Sequence, residues 1–128
     1  MSTSEYTVPP APADPAEDAD DRNLVALRGR LSGEVEVREI PSGSTVVVWR
    51  LVVRRTARDP HSSVTVDTID CESFSKQVMR NAVRWAEGEH VEVEGSLRRR
   101  FWQTPAGARS RYAVDVRAAR KVTVRRET

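Results

Sequence analysis

From residue 24 onward, apolar and polar positions mostly alternate with the period of two that marks a strand with one buried face. Leu24 to Leu31 reads as a first strand, continued by Val35 to Ile40 after Ser32-Gly33. Pro41-Ser42-Gly43-Ser44 is a turn. Thr45 to Arg55, dense in β-branched residues, is a second strand, and Thr56 to Ser63 with Asp59-Pro60 is a loop. Val64 to Cys71 is a third strand. It sets Val64, Val66, Thr68 and Asp70 on one face and Thr65, Asp67, Ile69 and Cys71 on the other. The period then changes. Phe74, Val78, Val83 (or Ala82) and Trp85 or Ala86 fall near helical spacing, with Ser73 or Ser75 as cap and Gly88 as stop. This predicts a helix of about 10–13 residues, near the average for globular proteins. His90 to Phe101, interrupted by Gly95, is a fourth strand; Thr104-Pro105-Ala106-Gly107 turns the chain; Arg109 to Val124 is a fifth.

The order β-β-β-α-β-β predicts a mainly β protein: a five-stranded Greek-key barrel of the OB type, with one helix between strands 3 and 4. Gly29 and Gly95, inside strand patterns, mark bends that let a short sheet coil. At 128 residues the chain holds one domain. Residues 1–22 contain four prolines and six acids and bury nothing, so they read as a disordered acidic arm. Residues 23–124 form the domain and 125–128 a short basic tail.

Charge changes the picture more than composition does. The arm holds Glu5, Asp14, Glu17, Asp18, Asp20 and Asp21 and, before Arg22, no base. With a total of +2, the rest of the chain carries +8. Of its 21 basic residues only Lys76 and Lys121 are lysines. Arginine offers a planar fork to phosphate and a flat face to bases, so a polyanion partner fits. The arm is either a solubilising tail or a competitor for the basic groove. No apolar run approaches the roughly 20 residues of a membrane span, and a cytoplasmic location is expected. Cys71, His61 and His90 are too sparse for a zinc site. There is no phosphate loop or nucleophile elbow, and Asp67 and Asp70 point to opposite faces, so no catalysis and no cofactor are expected.

Specific stretches go further. These are Asn23-Leu24-Val25-Ala26-Leu27-Arg28-Gly29-Arg30-Leu31, Glu36-Val37-Arg38 before Pro41-Ser42-Gly43, and above all Gly88 to Trp102. The last follows the pattern G-x-x-V-x-V-x-G-x-L-x-x-R-x-[WY]. In this order and spacing they resemble the bacterial single-stranded DNA-binding protein family. The resemblance implies single strands lying on aromatic platforms, with basic residues along the phosphates and the chain assembled as a dimer or tetramer. The first strand is an edge for pairing with a second copy. Phe74 and Trp102 match the family's stacking positions. Ala57-Arg58 and Thr68 stand where two further aromatics are usual. The family's acidic C-terminal tip has no counterpart in Arg125-Arg126-Glu127-Thr128, which leaves partner proteins unidentified and suggests a divergent or accessory member.

The expected DNA-binding residues are Trp102, Phe74, Arg54, Arg55, Arg98, Arg100, Arg109, Arg111 and Tyr112. Trp102 ends a basic strand and suits base stacking. Phe74 is either a platform or a staple for the helix. Tyr112 is expected across the hairpin from Trp102. Arg98 and Arg100 share a strand face that Arg99 does not. Trp49 and Cys71 read as core, and Trp85 as packed on the barrel. The expected function is sequence-independent binding of single-stranded DNA in replication, repair or recombination. An interaction adaptor of weak nucleic-acid affinity, or a single-stranded RNA binder, are the alternatives.

Overall fold

The β-branched runs become strands in the computed structural model, which describes residues 20–57 and 60–124. The elements are β1 (Val25–Glu39), β2 (Thr45–Arg54), β3 (Val66–Ser73), α1 (Lys76–Ala82), β4 (His90–Thr104) and β5 (Gly107–Val122). The sheet closes in the order β1-β2-β3-β5-β4, with β4 returning to β1. This is the five-stranded OB barrel with its helix between β3 and β4. The expected acidic arm falls, up to residue 19, outside the described residues, as do Arg58 and the tail from 125.

One strand closes the barrel by serving two neighbours. Residues 25–30 of β1 pair with β4 and residues 30–39 with β2. Between Ser32 and Glu36 the register shifts, and Gly33 there has φ +78°, a backbone state that a side chain resists. Each half of β1 therefore keeps one open side, so the strand expected to be an edge is an edge by halves. β3 and β5 join in parallel through two pairs, Cys71 with Val114 and Glu72 with Asp115. At Gly95 the β4–β5 register also shifts, and a Cβ there would lie 2.0 Å from the Asp115 carbonyl oxygen.

Leu31, Val47, Leu51, Cys71, Val91, Val93, Val114 and Val116 fill the interior. Val78 and Ala82 of α1 close one end of it. Trp49 and Trp85 meet edge-on in this core at 5.2 Å between ring centroids, as their apolar settings predict. Ser73 Oγ donates to the Val116 carbonyl at 2.5 Å and ties β3 to β5.

The helix is shorter than its apolar spacing predicts. Ser75 caps it, its Oγ accepting from Val78 N, but the helix ends at Ala82 and Val83 is its C-cap. The chain then turns so that Trp85 reaches Trp49, and Gly88 (φ +89°) ends that turn rather than the helix. β4 and β5 run beyond the expected ends to a two-residue turn at Pro105-Ala106, where Thr104 pairs with Gly107.

Candidate nucleic-acid interface

Residues paired across an antiparallel ladder share a face. Trp102 pairs with Arg109, Arg100 with Arg111, and Arg98 with Ala113. Five of the expected residues (Arg98, Arg100, Trp102, Arg109 and Arg111) therefore sit on one face of the β4–β5 hairpin. That face looks toward β3, and its arginines meet a row of acids. Arg100 Nε donates to Glu72 Oε2 at 2.9 Å, with Nη2 at 2.7 Å from the same oxygen. Arg111 lies 3.5 Å from Asp70 and 3.8 Å from Glu72 Oε1. Arg50 of β2 donates to Asp70 at 3.0 Å. Asp115 lies 3.8 Å from Arg98. Beside this network runs a groove of about 380 Å³ bordered by Ser32, Glu36, Arg38, Arg50, Asp70 and Arg111.

Burial decides what these charges can do. Glu72 is fully buried and Arg100 is 9% exposed. Burial pushes the Glu72 carboxyl upward, and Arg100 partly offsets this. Its Oε1 accepts no hydrogen bond among the described residues, so the pair is held by one carboxylate oxygen. Arg100 is thus committed to fastening the hairpin to β3. Arg98 is about half exposed, and Arg109, directly opposite the half-buried Trp102, is exposed. An aromatic beside an outward guanidinium can stack a base while the guanidinium meets phosphate.

The remaining expected residues lie elsewhere. Arg55 is bound to Asp67 at 2.8 Å, which raises its own pKa and lowers that of Asp67. Arg54 is exposed at the end of β2 and borders a second groove, about 670 Å³, with Arg28, Arg30 and His90. His90 is half-buried there. Phe74 is 37% exposed and directly precedes the capping Ser75. Tyr112 requires a correction: it pairs with Arg99, not Trp102, and so lies on the opposite face of the hairpin. The two-residue turn fixes this register. Cys71 is buried in the core, which pushes its thiol up to about 12. Among the described residues no group of three His, Cys, Asp or Glu could hold a metal ion.

Sequence reasoning passed over two features. Glu72 as the partner of Arg100 was hidden because β3, β5 and β4 are neighbours only in the barrel. Phe101 was overlooked although its position was readable, since Leu97, Arg99 and Phe101 alternate with the arginines of the other face.

The barrel is similar to known proteins. Residues 22–124 match the model of the Single-strand binding protein family. Single-stranded DNA-binding protein A of Bacillus subtilis (strain 168) is 31% identical over 87 residues, 68% of this chain and 51% of that protein. Single-stranded DNA-binding protein 1 of Staphylococcus aureus (strain COL) is 32% identical over 87 residues, 68% of this chain and 52% of its own. The match thus spans about half the length of these curated relatives. A solved Plasmodium falciparum SSB complex with ssDNA superposes with a TM-score of 0.68 at 18% identity, covering 81% of this chain and 97% of that one. With the family model covering nearly the whole barrel, the chain belongs to the Single-strand binding protein family.

Proposed function

We propose that this chain binds single-stranded DNA without sequence preference, along the hairpin face that carries Trp102 and across the neighbouring groove. The observation that carries the reading is the half-buried Trp102 directly opposite the exposed Arg109, on a wall whose Arg100 and Arg111 are held by acids. Trp102 is the stacking platform, with Phe74 a second one. Arg98 and Arg109 meet phosphate, and Arg54 extends the basic path at the far end of β2. Arg100 and Arg111 position the wall rather than touch DNA. The names of the bacterial relatives, and the ssDNA in the Plasmodium falciparum complex, support the same reading. The chain performs no catalysis. It works as a homo-oligomer paired through an open side of β1, in the cytoplasm, in DNA replication, repair or recombination.

A second reading, a protein-interaction adaptor, draws support from Asp70, Glu72 and Asp115. They neutralise part of the basic face that a strand would need. Titrating labelled oligo-dT, with duplex DNA and oligo-rU as competitors, separates the readings. Binding that weakens as salt rises, and that neither competitor displaces, supports DNA. Affinity no tighter than the non-specific range of about 10⁻⁴–10⁻⁶ M moves the adaptor to first place. Displacement by oligo-rU points to RNA.

A further inference from the structure

The hairpin has a second face. Leu97, Arg99, Phe101 and Gln103 of β4 pair with Val114, Tyr112, Ser110 and Ala108 of β5. Val114, like Val91 and Val93, belongs to the core, so this face is the barrel's interior lining carried past the barrel's end. Beyond that end the lining is uncovered: Leu97 is 44% exposed, Phe101 46% and Tyr112 57%. The Arg99 guanidinium carbon lies 5.1 Å from the Phe101 ring centre and 5.4 Å from that of Tyr112. Its Nε and Nη2 both donate to Ser110 Oγ, at 3.2 and 3.0 Å. Three of its five N–H groups remain for another acceptor.

We propose that this Arg99–Phe101–Tyr112 face is a second platform for single-stranded nucleic acid, so that a strand crossing Trp102 continues around the hairpin; this rests on the DNA-binding reading above. Two features favour a polyanion over an apolar partner. None of the eight paired residues of this face is acidic, whereas the Trp102 face meets Glu72, Asp70 and Asp115. The cation also lies 5.1 and 5.4 Å from the centres of two exposed rings. A base stacking on either ring brings its phosphate toward Arg99, with little side-chain freedom left to lose.

The test compares the full chain with a Phe101→Ala/Tyr112→Ala variant on two oligo-dT lengths. One, of about 8 nucleotides, fits a single OB site; the other, of about 30, exceeds it. The platform predicts unchanged affinity for the short oligonucleotide and about tenfold weaker binding of the long one, with a smaller occluded site. A Phe101→Tyr/Tyr112→Phe variant, which keeps both rings, should bind as the wild type does. Loss on neither length overturns the proposal while leaving Trp102 as the binding site. A fall in solution mass at constant affinity per chain also overturns it, and makes this face a contact between copies. If the wild type binds neither length, the DNA-binding reading fails and this proposal fails with it.

Discussion

The two faces of the β4–β5 hairpin offer similar residue types to different surroundings. Toward β3, Arg100 and Arg111 approach carboxylates, and one of those carboxylates is fully buried. Toward solvent, Arg99 meets two aromatic rings and a serine hydroxyl. The first arrangement spends cationic charge inside the molecule and gives the hairpin a fixed angle on the barrel. The second leaves charge available outside it. A count of arginines therefore overstates the basic surface; what matters is which arginines the fold has already matched.

Removing the buried acid tests this division most severely. Glu72→Ala takes from the buried Arg100 its hydrogen-bonded carboxylate and leaves Asp115 at 4.0 Å, and the expected cost is about 3 kcal/mol of stability in urea denaturation, the lower end for breaking a buried pair. A cost below about 1 kcal/mol would mean that Arg100 moves out to solvent. Next comes the point where interior lining passes into exposed face. Gly95→Ala forces a Cβ against the Asp115 carbonyl, which is backbone and cannot rotate away. A loss of about 3 kcal/mol is expected, at the upper end for overpacking; a melting temperature equal to the wild type's would show that the bulge can shift. Arg109→Ala acts only on binding. The slope of log affinity against log salt should fall by about 0.7, one phosphate contact on a single strand, whereas Arg55→Ala, already matched by Asp67, should leave it unchanged.

The smallest expected effect is a pH dependence away from the hairpin. Hydrogen bonds from Arg28 and then Arg120 hold the Glu92 carboxyl below its ordinary value. The unfolded chain takes up that proton first as pH falls. The stabilisation is therefore present above the ordinary glutamate range and is lost as pH drops through the lowered native value. Thermal melts between neutral pH and about pH 3, spanning that range, should show a shallower acid loss for Arg28→Ala than for the wild type.

Much of this was legible in the chain. Alternation located the strands, Ser73 or Ser75 the helix start (Ser75 is the cap), and the spacing from Gly88 to Trp102 the family. The helix end was not, because Trp85 keeps helical spacing yet leaves the helix to reach Trp49. The place of Tyr112 was readable by counting: a turn centred between Pro105 and Ala106 sets Trp102 opposite Arg109 and Tyr112 opposite Arg99, whether it holds two residues or four. The acidic row was out of reach for a stronger reason. Glu72 and Asp115 become neighbours through a parallel pairing of only two residue pairs, and no local pattern records it.

Trp49 and Trp85 are buried against each other, so Trp102 is the tryptophan placed to report a base stacked from outside. The most direct measurement follows tryptophan fluorescence during an oligo-dT titration of the wild type and of Trp102→Phe, with anisotropy of labelled DNA recorded in parallel. Stacking on Trp102 predicts saturable, salt-sensitive quenching in the wild type that is largely lost in Trp102→Phe, while that variant still binds. Equal quenching in both proteins, or binding with no quenching in either, would contradict it and remove Trp102 from the interface.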